Sequence, residues 1–223
     1  MKTIRLCLFL SVLSCFNSLF AQEEMGNGML FTNFDDGILI YKDGTRSSSK
    51  FNYNMILEEM LFLNADSTVL ALANLSNVLA VIIGDHRFIP TSSGDAFYEE
   101  IKAGTNYFFV QRRAKFLSEG KAAGYGGYSQ TSSITSINTL YDRSSGLAIK
   151  LNPDEKFRMK IEFFFYIKSG NNYKRFFSAK TLGKLFKGQE TKIEQFAKEQ
   201  SIDFSKIADV ARIVEYSYSL MNR

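Results

Sequence analysis

The chain holds one histidine, His86, and it directly follows Asp85. One imidazole cannot build a two- or three-histidine metal site within a chain. It could act as the base of a Ser-His-Asp triad, but neighbouring residues of a strand point to opposite faces. Asp85 is therefore poorly placed to orient it, and no Gly-x-Ser-x-Gly elbow supplies a nucleophile. His86 reads as a half-exposed turn residue. Both cysteines, Cys7 and Cys15, lie in the apolar N-terminal stretch. If that stretch is removed, no thiolate remains as nucleophile or soft metal ligand. These residues predict no catalytic group, no metal site and no cofactor.

Carboxylates adjoin at Asp35-Asp36, Glu58-Glu59 and Glu99-Glu100. A glycosidase sets two carboxyl groups across a cleft, about 5–10 Å apart, and sequence adjacency does not provide that. Asn33-Phe34-Asp35-Asp36-Gly37 is oxygen-rich but lacks the ligand spacing of a calcium loop, so it reads as a turn. Gly124-Tyr125-Gly126-Gly127-Tyr128 begins like a phosphate loop, yet Ser129 stands where the third glycine belongs. Tyr125 and Tyr128, with Gln130, read instead as adaptable contact residues on a glycine-hinged loop, and they are the candidate partner-binding residues. Lysines gather around the C-terminal helices and read as a solvated face, with an anionic lipid or glycan surface as the other use. Asp66-Ser67-Thr68 matches a short O-glycosylation acceptor pattern in a predicted turn.

The N-terminus reads as an address. Lys2 and Arg5 precede the uncharged run Leu6–Phe20, and Ala21 stands before Gln22-Glu23-Glu24. A basic start, a short apolar run and a small residue describe a signal peptide cleaved between Ala21 and Gln22. The run is shorter than the ~20 residues of a membrane span. Val12-Leu13-Ser14-Cys15 loosely resembles a lipobox, so membrane association follows only if Cys15 is lipidated. Loss of Lys2 and Arg5 lowers the formal net charge from +4 to +2, which leaves no overall basicity to argue for nucleic acid.

The rest must position whatever function exists. With 45% hydrophobic and 22% charged residues it is a folded globular chain. Residues 22–117 show short alternating runs with hairpin signals at Asp43-Gly44 and at 64–68. Residues 118–145 lack an apolar period and read as a Gly/Ser/Tyr loop. Residues 146–177 hold strands that complete the sheet, resuming at Gly146–Leu151, with Lys160–Ile167 as a central strand covered on both faces. Residues 178–223 become helical. Ser178 can cap a short helix running through Phe186, and Ile207, Val210, Ala211, Val214, Tyr218 and Met221 form an amphipathic stripe. The predicted fold is α+β: an antiparallel β-sandwich or partial barrel followed by two to three C-terminal helices.

Three segments together are similar to a group of secreted proteins of unknown function from Gram-negative bacteria. They are Ile40-Tyr41-Lys42-Asp43-Gly44-Thr45 with its following strand, the loop Gly124–Thr131, and the tail Leu182–Leu220. The resemblance implies export, to the periplasm or cell surface, and a shared fold; it implies no activity and no site residues. The function read from these features is an exported, non-enzymatic protein that binds a protein, glycan or envelope component. The alternatives are a carboxylate-dependent hydrolase of glycans or peptides and a carrier of apolar ligands or lipid. With 21 Phe, 11 Tyr and no Trp, only Phe and Tyr could stack on sugars.

Overall fold

A computed structural model describes residues 28–123, 127–129 and 155–221, with side chains over 28–117 and 158–221. The expected cleavage point at Ala21 and Gln22, the contact residues Tyr125 and Gln130, and the expected strand at 146–151 lie outside the described residues.

The alternating N-terminal runs form a meander. Strand β1 (Asp35–Tyr41) turns back into β2 (Arg46–Asn54) through Lys42-Asp43-Gly44-Thr45. Gly44 takes φ +89° there, and the Asp43 carboxylate accepts the Thr45 N–H at 2.8 Å. Then follow β3 (Glu59–Leu63), β4 (Val69–Ala71), β5 (Val78–Ile83), β6 (His86–Pro90) and β7 (Phe97–Ala103). In the β3–β4 turn, Asn64 Oδ1 accepts the N–H groups of Asp66 and Thr68, which leaves Asp66-Ser67-Thr68 exposed.

Strand β8 (Asn106–Ala123) is the longest, and it continues into the start of the expected 118–145 loop. Strand β9 (Gly127–Ser129) pairs with its end, with Tyr128 opposite Ala122. Strands β10 (Glu155–Ser169) and β11 (Asn172–Phe176) follow. All pair antiparallel in one sheet of order β11-β10-β8-β7-β6-β5-β1-β2-β3-β4, which is not closed into a barrel. One backbone hydrogen bond, Ala114 N–H to Met55 O at 2.8 Å, joins β8 to the residue after β2.

Three helices end the described chain: α1 (Ala179–Gly183), α2 (Glu190–Glu199) and α3 (Ile207–Ser219). Ser178 and Thr181 form a reciprocal capping box at α1. The helix stops short of the expected Phe186. The buried face of α3 is Val210, Ile213, Val214 and Ser217, while Met221 is 57% exposed, so the stripe turns toward 213 and 217 and away from 221. No helix among the described residues is long and apolar enough to cross a membrane.

Residues opposed across a ladder share a face, and one face of the sheet carries two cores. The helices cover Phe108, Val110, Phe165, Ile167 and Phe176. Leu39, Phe51, Tyr53, Val81, Phe88, Phe97 and Ala114 build the second core from the strands themselves. Each fully buried Phe or Leu contributes about 1.5–3 kcal/mol over leaving it exposed. We call this the inner face. Strand β10 lies between β8 and β11 as expected, but its other face is only half-buried at Phe164 and Tyr166. The helices pack on one side of it only, so expectation and structure differ there.

Candidate functional site

Three groupings of polar residues stand out. The first lies between the two cores on the inner face. Alternation in β7 puts Glu99 on the same side as Phe97 and Ile101, and Glu99 is 2% exposed. The register places Phe88 and Val110 opposite it, with His86 and Arg112 on the diagonals. Glu99 Oε1 meets His86 Nδ1 at 2.5 Å, and its Oε2 accepts from Arg112 Nε. The Arg112 guanidinium also lies 5.5 Å from the centroid of Phe163, the residue opposite it in β10. Phe31 meets the His86 ring edge-on at 5.1 Å, and Phe88 stacks on it at 6.3 Å.

A carboxylate on Nδ1 is how a catalytic histidine is oriented. Here the same carboxylate is shared with Arg112, and no Ser, Thr or Cys among the described residues bonds His86. The arrangement neutralises a buried carboxylate and locks three strands together. His86 is half-exposed, as its sequence position predicts, but its partner is Glu99 and not Asp85.

The second grouping is a cleft of about 930 Å³. It forms where the β2–β3 turn, the 72–79 connection and the β6–β7 turn meet, and it runs on to Phe109, Lys168 and Tyr173. Glu58, Asp95 and Glu100 all line it, yet each is engaged. Glu58, at φ +57°, bonds Gln111 at 2.6 Å and the Arg113 guanidinium at 2.6 Å. Glu100 faces Arg87 at 3.4 Å. Asp95 accepts from the hydroxyls of Ser93 and Thr91, and these bonds hold its carboxyl below the usual range. A general acid needs the opposite shift. The lining mixes charged, hydroxyl and apolar side chains, unlike the enclosed apolar cavity of a lipid carrier. Among the described residues no group of three or more His, Cys, Asp or Glu could hold a metal ion.

The third grouping is the outer face of β8, β10 and β11. Phe164 carries the guanidinium of Arg175 at 4.3 Å and that of Arg113 at 5.3 Å from its centroid. Beside it, the Tyr98 ring lies 4.8 Å from both Tyr166 and Tyr173, and Phe109 lies 4.9 Å from Tyr173. The Tyr166 hydroxyl donates to Gln111 Oε1 at 3.0 Å, which ties the cluster to Glu58. Burial, then the neighbouring phenols, push Tyr98 up to about 12; Tyr166 and Tyr173 also lie above their ordinary value through burial. These phenols are neutral hydrogen-bonding groups at any physiological pH.

Of the candidate contact residues, the structure places only Tyr128, on the short strand attached to the far end of β8. It does not describe Tyr125 or Gln130 and brings neither to a site. Sequence reasoning did not bring Glu99, Arg112, Arg113, Phe164, Tyr166, Tyr173 and Arg175 together: it weighed Glu99 only as half of an adjacent carboxylate pair and Arg175 only as part of the basic face near the C-terminal helices. The signal for the first two was present: each is a charge at an inward position between apolar residues two places away. The outer aromatic and basic face was hidden by taking β10 as covered on both sides.

Comparison with protein-family models, with curated proteins and with solved structures found no match.

Proposed function

We propose that this chain is an exported, non-enzymatic protein of the periplasm or surface of a Gram-negative bacterium. In this reading it binds a partner through the outer face of β8, β10 and β11 and the adjoining cleft. One observation carries the reading: the two sides of this part of the sheet are treated differently. Helices bury Phe165 and Ile167 on the inner side, whereas the outer side presents Arg113, Phe164, Tyr166, Tyr173 and Arg175, with no helix packed over it among the described residues. Half-exposed aromatic rings framed by exposed cations suit a contact surface. Tyr125, Tyr128 and Gln130 are further contact residues in this reading on sequence grounds alone, Tyr128 lying on the strand paired to the far end of β8.

Export rests on Lys2 and Arg5, the apolar run Leu6–Phe20 and the Ala21-Gln22 junction. The N-terminal strands form a partial barrel in this reading, supported by the Met55–Ala114 hydrogen bond and by a core drawn from β1 through β8.

Cell fractionation with N-terminal sequencing, followed by hydroxyl-radical footprinting in intact cells, tests the proposal. The expected result is a chain beginning at Gln22, outside the cytoplasm, with Tyr166 and Tyr173 protected relative to purified protein. An uncleaved cytoplasmic chain, or protection confined to other faces, overturns it.

A further inference from the structure

We infer that the partner at this outer face is an acidic polysaccharide, a glycan chain bearing carboxylate or sulfate groups. The inference rests on the binding role proposed for the face and names its ligand class. Charge is the first argument. Alternation along β10 lines up Arg158, Lys160, Glu162, Phe164, Tyr166 and Lys168 on one side, at a spacing of about 6.5–7 Å between successive members. The register sets Arg113 and Lys115 opposite Glu162 and Lys160, and Arg175 opposite Tyr166. The carboxylates are outnumbered. Glu162 answers two ammonium groups, Lys115 at 2.8 Å and Lys160 at 3.1 Å, and Glu58 answers Arg113. Arg175 and Lys168 meet no carboxylate among the described residues. The Phe164 ring steadies Arg175 in place of an anion. The face therefore presents uncompensated, partly pre-ordered cations to an acidic ligand.

Geometry then separates the acidic ligands. An acidic peptide adding as a strand would take the sheet edge at β11, whereas a ligand lying over β10, which is hydrogen-bonded on both sides, meets side chains alone, and the polyglutamate arm of the test separates the two. Single-stranded nucleic acid needs open ring faces for its bases. Here the Phe164 ring lies under two guanidiniums, and the phenols pack against one another. A bilayer needs a continuous apolar surface standing proud of the cations; here Phe164 lies beneath two guanidiniums, and the exposed rings beside it are Tyr107 on β8 and Phe177 after β11, so the vesicle arm of the test decides against or for a lipid surface. A polysaccharide asks for none of these. Its acid groups take Arg175 and Lys168, and its hydroxyls take the neutral phenols of Tyr166 and Tyr173. Where the face runs into the cleft, Thr91, Ser92, Ser93 and Asn74 add uncharged polar groups beside Glu58, Asp95 and Glu100, whose carboxylates are already engaged.

The test is calorimetric titration of the purified full chain with polygalacturonate and with dextran sulfate at low salt and at about 0.15 M salt. Comparison arms are neutral dextran, polyglutamate, oligo-dT and phosphatidylglycerol vesicles. The expected result is binding to polygalacturonate or dextran sulfate at least about tenfold tighter than to any comparison arm. The double variant Arg175→Gln/Lys168→Gln should weaken it about fivefold with an unchanged melting temperature, while Lys50→Gln on β2 leaves it unchanged. Equal binding to all polyanions, preference for peptide, nucleic acid or vesicles, or no binding overturns the ligand class. Footprint protection of Tyr166 and Tyr173 in cells without polysaccharide binding sinks this inference alone. Absence of that protection sinks the binding face itself.

Discussion

Replacing Arg112 with methionine should expose how the ion cluster between the two cores is balanced. Glu99 is 2% exposed and divides its two oxygens between His86 and Arg112. Removing one partner of a buried ion costs about 3–5 kcal/mol, because the charge left behind has neither water nor a counter-ion. Here the lower end applies, since His86 remains on Oε1 and its side chain is 42% exposed to solvent. We expect a loss of about 3 kcal/mol, which for a chain of this size lowers the melting temperature by about 6–12 °C. Glu99→Leu/Arg112→Met removes both charges and leaves apolar groups between Phe97, Ile101 and Ala114. It should return to within about 1 kcal/mol of the parent. Urea unfolding followed by tyrosine fluorescence gives both values, and the absence of tryptophan leaves that signal unmasked. If Arg112→Met costs less than about 1 kcal/mol, or the double variant is no better than the single, the argument from an uncompensated buried carboxylate is wrong.

Three further outcomes follow from local geometry. Carbon-detected titration should place the Asp95 midpoint below 3.8, because Ser93 and Thr91 hold the ionised form. Its depressed folded value means the contribution to stability is present above the unfolded pKa and is lost as pH falls through the folded one; a midpoint at or above 3.8 contradicts this. In an ultraviolet titration of the phenols, Tyr98 should ionise near 12 and Tyr98→Phe should delete one late-titrating group; loss of an early one instead would refute the buried placement. Gly37→Ala should destabilise by about 1–3 kcal/mol, since the added Cβ would lie 2.7 Å from Ile82 O and 2.8 Å from Phe51 Cδ2; an unchanged urea midpoint would show that β1 and β5 can part at that point.

Much of the sheet could be read from apolar runs, period-two alternation and turn chemistry. Gly37–Tyr41 and Leu79–Ile83 are short continuous apolar runs, Asp43-Gly44 is the hairpin turn and Lys160–Ile167 carries the alternation, and the structure places strands or turns at each. The pattern fails at 118–123, where Ser118, Gly120 and Ala122 have weak strand preference. Pairing with β10 supplies what propensity does not, as when Ser118 opposes Phe157. Helix α1 was read too long because tertiary contact is silent in sequence: a Cβ on Gly183 would lie 3.1 Å from the Glu190 backbone, so the chain must turn there to seat α2. The site was the least legible part. His86 and Glu99 are thirteen positions apart, and only the β6–β7 register brings them together. The two guanidiniums on Phe164 come from different strands, β8 and β11.

Strand β8 supplies both cores, Phe108 and Val110 to the helix-covered one and Ala114 to the other, with Arg112 between them. A chain built this way ties the two cores together through one strand. Helices peeled from Phe108 would uncover the same strand that carries Ala114, so loss of one core weakens the support of the other. Neither half can be swapped for a foreign segment without the other registering the change. Drift along this chain must therefore respect two packing environments through the even-numbered positions of one strand, which are the positions where substitution should be least tolerated.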